Sequence, residues 1–412
     1  MIGSRIALAL LLTGTPALAE DFVLKPLIDA RLRYEGVDQA GFARDADAVT
    51  LRVRAGLEAK SGDFSLLGEA VGTLAIDENY NSGVNGRTSF PIVADPQTVG
   101  LNRLQLQYRG LPATVVTVGR QRINLDDQRF VGSIGWRQNE QTFDAARVEW
   151  TGVKNLKADV TYAWSDRTIW GIDGGNRFGR ARYAAIRGDN IFANLALKTA
   201  IGTLTGFAYL IDQDEPLVLR NSSATYGARF AGARPLGSAV KLNYVASYAR
   251  QTDYARNPNR YAADYYLGEL ALDIAALRFG GGYEVLGANN NAGGGAGGGV
   301  AYTSFQAPLG TLHKFDGWAD KFLVTPPNGL RNAYALAGYG WKTLGPFQAI
   351  ALTAIYHRFD SDRASQHYGN EIDVQASARL GHTTVLAKYA DYRADRFATD
   401  TRKFWLSLEW AI

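Results

Sequence analysis

Arginine outnumbers lysine three to one in this 412-residue chain, 33 against 11. Arg31, Arg33, Arg52, Arg54, Arg103, Arg109 and Arg147 occupy alternate positions in runs whose intervening residues are largely apolar. A guanidinium is a planar fork that takes a carboxylate or phosphate bidentately. A row of them in a confined passage raises the local anion concentration and lets a polyanion step from one to the next. Glu35, Glu58, Glu69 and Glu149 share that face, so the same residues also read as an arginine–carboxylate ladder that braces a wall and selects nothing. Arg120, Arg122, Arg129 and Arg137, with Asp126 and Asp127, lie at a strand end and in the long loop after it. That loop either folds inward and narrows the passage or stays solvated at the surface, with Trp136 as a packing anchor.

A second group, His313, Lys314, Asp316, Trp318 and Asp320, falls in the longest loop. A His–Asp pair is the raw material of general-base catalysis, but no serine or cysteine nucleophile stands at a recognisable motif. No catalytic residue is assigned, and the chain reads as a non-enzyme. One histidine and two aspartates are also metal-ligand types. The preferred reading is a loop plug or gate held by Phe315 and Trp318, with no metal or cofactor. His357, His367 and His382 are scattered and receive no role.

Strands must position these groups, because the alternation has period two. From Val49 one face is Val49, Leu51, Val53, Ala55 and Leu57, and the other is Thr50, Arg52, Arg54, Gly56 and Glu58. A helix would scatter those sets around its circumference, whereas a strand puts them on opposite sides. The pattern recurs to the C-terminal Phe404, Leu406, Leu408 and Trp410, opposed by Lys403, Ser407 and Glu409. About eighteen strands of roughly 9–14 residues are expected, the length a tilted strand needs to cross a bilayer. Short turns, as at Ser61-Gly62, Ala275-Ala276 and Gly381-His382, alternate with long connections near 36–47, 78–98, 122–141, 166–188, 212–222, 252–262, 287–330, 360–369 and 394–401. A sandwich has no reason to segregate loop lengths in this way, whereas a transmembrane barrel does. The fold class is therefore all-β: a transmembrane antiparallel barrel with long extracellular loops and short periplasmic turns. A guanidinium facing lipid at the midplane costs roughly 2–4 kcal/mol, so the arginine face must line the lumen.

Arg5, the apolar Ile6–Leu12 run and Ala17-Leu18-Ala19 have the form of a signal peptide over 1–19. Residues 20–412 form one barrel domain, since every strand must join a closed sheet to leave no edge in lipid. The chain has no cysteine, which excludes disulfides and thiolate metal sites. A net charge of +4 from 44 basic and 40 acidic residues is too even to argue for nucleic acid. The Gly293–Gly299 stretch is a flexible loop segment lacking the context of a phosphate cradle. The terminal Ile412, with Trp410 two places before it, partly matches the aromatic end read by the barrel-assembly machinery.

Two segments are more specific. The run V-G-R-Q-R-I-N-L-D-D-Q-R-F-V-G-S-I-G-W-R-Q-N-E-Q-T-F-D-A from Val118, and G-T-L-H-K-F-D-G-W-A-D-K-F from Gly310, resemble segments of the alginate-export porin family. Lys388-Tyr389-Ala390-Asp391-Tyr392 is a weaker echo. The resemblance implies an 18-stranded monomeric barrel in the Gram-negative outer membrane, with a positive lumen that passes polyuronate. The expected function is an anion-selective channel for uronate-type polysaccharide or oligosaccharide. The alternative is a general or small-organic-acid nutrient porin working in uptake. Expected partners are outer-membrane lipid, the barrel-assembly machinery, anionic carbohydrate or small organic acids, and periplasmic export components.

Overall fold

A computed structural model describes residues 22–175, 182–290 and 300–412. The expected signal peptide and the Gly293–Gly299 stretch lie outside these residues. Among the described residues eighteen strands run in chain order. They begin with β1 (Val23–Gln39), β2 (Ala46–Ser61), β3 (Phe64–Asn79), β4 (Thr98–Leu111), β5 (Thr114–Gln121) and β6 (Thr142–Trp150). Next come β7 (Leu156–Arg167), β8 (Ala185–Thr199), β9 (Gly202–Ile211), β10 (Ser223–Pro235), β11 (Val240–Asp253) and β12 (Ala262–Ile274). The last six are β13 (Leu277–Leu286), β14 (Leu330–Leu344), β15 (Phe347–Asp360), β16 (His367–Leu380), β17 (Thr383–Ala394) and β18 (Thr401–Ala411). Each strand pairs antiparallel with its sequence neighbours, and β1 pairs with β18 from Asp29↔Ala411 to Gln39↔Thr401. Closure leaves no edge, as a sheet in lipid requires. The ranges between strands reproduce the expected alternation of short turns and long loops, with 122–141 and 212–222 matching at both ends.

Alternation sets the two faces. Leu57, Leu66, Leu104, Leu106, Val160, Leu195, Leu204, Leu270 and Leu406 are exposed on the outer surface, where lipid covers them. Arg33, Arg52, Glu35 and Glu69 are buried inside the barrel. A bulge interrupts this order usefully. Glu69 pairs with Arg103 while Ala70 pairs with Leu101, which leaves Asn102 as an extra residue in β4. The extra residue turns both Asn102 and Arg103 inward, and both bond the Glu69 carboxylate.

The inner face is not uniformly polar. Phe143, Phe192, Phe207, Tyr209, Tyr265, Phe359, Tyr392 and Trp405 are buried there, packed against Ile123, Leu125, Val131, Phe305, Leu309, Trp318 and Phe322 of two long loops. These loops carry an apolar core into the lumen, so the strands facing them are apolar on both sides. Strand β9 is the clearest case, with Phe207, Tyr209 and Ile211 inward and Leu204 exposed outward.

Candidate functional site

The site is built by the β5–β6 loop, 122–141, and by residues 300–329 of the β13–β14 loop. Both enter the barrel and pair with each other. Val131 and Leu309 form a parallel bridge, Gly132 N donates to Leu309 O at 2.9 Å, and Thr311 N donates to Gln128 O at 2.9 Å. Gln141 Nε2 donates to Gly132 O and Leu309 O, fixing the junction from below. Strand β16 catches the tip of the second loop: Trp318 N donates to Asp373 Oδ2 at 3.1 Å and Ala319 N to Glu371 Oε1 at 2.6 Å. Gly317 turns the chain into this contact at φ +77°, where a Cβ would lie 2.4 Å from Glu371 Oε2. The loop of 122–141 therefore folds inward, the first of the two readings its sequence allows.

Where the loops meet they form a partition one chain thick. Ile134 and Arg137 face one chamber, and Gly135 and Trp136 face another. In the second loop Leu312, Ala319 and Asp320 face the first chamber, Thr311, Lys314 and Trp318 face the second, and His313 lines both. The outer chamber, about 440 Å³, carries Arg137, Arg182, Lys321 and Lys403 against the single carboxylate of Asp320. The inner chamber, about 560 Å³, carries Arg31, Arg33, Lys314 and Lys388 against the single carboxylate of Glu409. A third, smaller cavity beside Phe315 balances differently, with Asp127, Glu269 and Glu284 against Arg229 and Lys314.

His313 is the hub of the partition. Its Nδ1 lies 2.7 Å from Asp320 Oδ1 and its Nε2 lies 2.8 Å from Lys388 Nζ. The neutral Nδ1–H tautomer satisfies both contacts: it donates to Asp320 and accepts from Lys388. Burial and the Lys388 ammonium hold the imidazole down to about 3, against the pull of Asp320. Burial alone would raise the Asp320 carboxyl, but Lys403, His313 and Arg137 hold it well below the usual carboxylate range. Aromatic rings enclose the cations. Lys388 Nζ sits 3.6 Å from the Trp318 ring centre and 4.4 Å from that of Trp136. Arg33 lies 4.2 Å over Trp136, on which His313 stacks at 4.5 Å. These tryptophans are occupied by protein cations and imidazole.

The arginines singled out by alternation divide into groups. Arg31, Arg33 and Arg137 line the chambers. Arg31 bonds Glu409 and the carbonyls of Gly135 and Trp136, which ties β1 to the partition. Arg52 bonds Asp29 and Glu409. Arg54, Arg103 and Arg122 converge on Glu69 and Glu140. Arg147 takes Asp159 and Glu149, and Arg129 takes Glu284 and Asp316 at 2.7 Å each. These are the rungs of the arginine–carboxylate ladder, and none of them lines either chamber. Arg109 lies exposed at the turn end of β4, bonded to Gln107. Arg120 corrects the sequence reading. It follows Val116 and Val118 in parity, pairs across from the outward Leu104, and is clamped on Asp144 with Arg167 alongside. One residue of register decides the face of a strand, and Arg120 is on the outer wall, not in the passage.

Of the loop residues expected as a gate, His313, Trp318 and Asp320 stand in the partition, and Lys314 faces the inner chamber. Asp316 lies deeper, bonded to Arg129 and Asn332. The sequence reading left Lys388, Lys403, Glu371 and Asp373 without roles. Their strand parity marks them as inward, but which inward residue meets a loop depends on contacts across the barrel.

A closed eighteen-strand antiparallel barrel, divided inside by inward loops and basic on both sides of the division, defines an outer-membrane channel. The alginate-export family profile matches residues 30–165, which include the Val118 segment; the segment from Gly310 lies outside the match. Among curated proteins none matches. Among solved structures the fold is similar to OccAB1 of Acinetobacter baumannii, with a TM-score of 0.74 at 15% identity, covering 94% of this chain and 96% of that one. OccAB4 of the same organism gives 0.69 at 13% identity, covering 94% and 98%. The outer membrane protein OpdK of Pseudomonas aeruginosa gives 0.68 at 12%, covering 95% and 98%. The chain is thus similar to outer-membrane porins throughout and resembles the alginate-export family over its first third.

Proposed function

We propose that this outer-membrane channel passes carboxylate-bearing carbohydrate, uronate oligomers or their monomers, and prefers anions to cations and neutral solutes. The observation that carries this reading is the imbalance in the two chambers, each with four cationic side chains facing one carboxylate. Low-dielectric walls focus such a field and raise the local concentration of anions. The alginate-export match over 30–165 supports uronate as the carboxylate carrier. A second reading, uptake of small organic acids, is favoured by the partition itself and by chamber volumes of about 440 and 560 Å³, the size of small-ligand sites.

The test is the reversal potential of refolded protein in a planar bilayer under a potassium chloride gradient, followed by titration with galacturonate oligomers and with citrate. Anion selectivity with current modulated by the oligomers supports the uronate reading. Anion selectivity with response to citrate alone supports the second. Cation selectivity, or none, refutes both.

A further inference from the structure

A carboxylate belonging to the protein sits where the two chambers meet, held by donors from three parts of the chain. Asp320 Oδ2 accepts from Arg137 Nη2 at 2.8 Å and from Lys403 Nζ at 2.9 Å, while Oδ1 takes His313 Nδ1 at 2.7 Å. Arg137 comes from the first loop, Lys403 from β18, and His313 and Asp320 from the second loop. The Asp320 side chain is only 6% exposed, and the residue adopts φ +60°, a left-handed conformation that a non-glycine residue keeps only when its surroundings impose it. Its neighbour Ala319 is held by Glu371, and Trp318 by Asp373. The segment 317–320 is thus a strap across the passage, fastened at one end to carboxylates of β16 and at the other, through its own carboxylate, to a cationic cluster.

His313 lines both chambers, with Arg137 and Lys403 beside it on the outer side. An arriving carboxylate offers those cations what Asp320 already gives them. We propose that Arg137, Lys403 and His313 form a carboxylate-binding subsite that Asp320 occupies in the closed channel, and that the carboxylate of a transported solute takes its place and releases the strap. This inference rests on the anion-channel reading. Exchange keeps the donor set satisfied, since one carboxylate replaces another. Because the solute binds only the displaced arrangement, mass action alone shifts the population toward it as the solute concentration rises. Asp320 faces the outer chamber beside Lys321, so a released carboxylate has a cation within its own loop. Glu35 and Asp95, which also face Arg137, keep that guanidinium in place during the exchange.

The experiment is single-channel recording of the refolded full chain at constant ionic strength, with chloride replaced stepwise by galacturonate and with galactose as the uncharged control. The wild type is expected to open more often as galacturonate rises and to ignore galactose. Asp320→Asn is expected to be open about tenfold more often without galacturonate, having lost its charge-assisted bonds, and to have lost the galacturonate response. A wild type whose current only falls, or does not change, with galacturonate overturns the inference whether or not the variant refolds. So does an Asp320→Asn channel that keeps the wild-type resting activity and response. A wild-type reversal potential without anion preference would instead refute the channel reading on which the inference stands, and it is read from the same recordings.

Discussion

Glu409→Gln isolates the charge of the inner chamber, because Glu409 is the one carboxylate among the described residues that line it. The side chain accepts from Arg31 Nη2 at 3.0 Å and from Arg52 Nη2 at 3.1 Å through Oε1. Arg31 keeps its bonds to the carbonyls of Gly135 and Trp136, and Arg52 keeps Asp29. The glutamine preserves shape and one acceptor. Glu409 is more than a third exposed, so water screens what is lost, and the cost to the fold is about 1 kcal/mol. For a solute anion in the chamber, removing one negative charge at roughly 4–8 Å in a water-like dielectric gains about 0.5–1 kcal/mol. That corresponds to roughly a two- to fivefold rise in local anion concentration. The assay is the chloride-to-potassium permeability ratio from reversal potentials at low salt, where screening is weakest, with folding confirmed by the heat-dependent shift in gel mobility. A ratio that stays the same or falls in a folded variant would refute the assignment of this chamber to the conducting path.

Three further outcomes follow from the same geometry. Lys388→Met should lower the anion permeability ratio by about two- to fivefold on the same Coulomb argument, whereas Arg120→Ala should leave it unchanged because that side chain is on the outer wall; equal effects would contradict the register. Gly317→Ala should loosen the strap by about 1–3 kcal/mol, since its φ of +77° and the 2.4 Å approach of Glu371 leave no room for a methyl; tryptophan-fluorescence melting and resting current report it, and unchanged values of both refute it. His313 is held at about 3 in the fold against 6.5 when free, so the unfolded chain binds the proton first as pH falls. Stability should therefore drop below pH 6.5 and continue dropping toward 3, by up to about 1.4 kcal/mol per pH unit. His313→Gln should flatten that slope in urea melts, and an unaltered slope would show that the imidazole is not buried neutral.

Alternation and loop spacing made the barrel legible, because both follow from single-strand geometry. The facing of Arg31, Arg33, Arg52, Arg54, Arg103 and Arg147 came from the same source, since a guanidinium has nowhere else to go in a lipid-facing wall. Parity was not applied to Arg120, which was read with the arginine-rich loop after it; its parity with Val116 and Val118 puts it outward on Asp144, near the strand end where charge no longer meets hydrocarbon. Parity was silent about Phe207, Tyr209 and Trp405, because an apolar inward residue on a barrel strand implies a partner inside the lumen. That partner is 122–141 and 300–329; the arginines of the first and Phe315 and Trp318 of the second made an inward fold readable, but not which strand residues each loop would meet. Lys388 and Lys403 were hidden for the same reason. Each is one inward lysine among many inward polar residues until His313 and Asp320 are brought across the lumen to meet them.

The pairing of Val131 with Leu309 has a mechanical side. The two loops leave the wall between β5 and β6 and between β13 and β14, nearly diametrically opposite on the ring. A single closed sheet of this circumference flattens readily, since bending about the strand axes breaks no hydrogen bond. A peptide chord joined across the middle acts as a spoke in a hoop: it ties the two far sides together and sets the span between them. Lateral pressure in the bilayer then loads a hydrogen-bonded tie as well as the curvature of the wall.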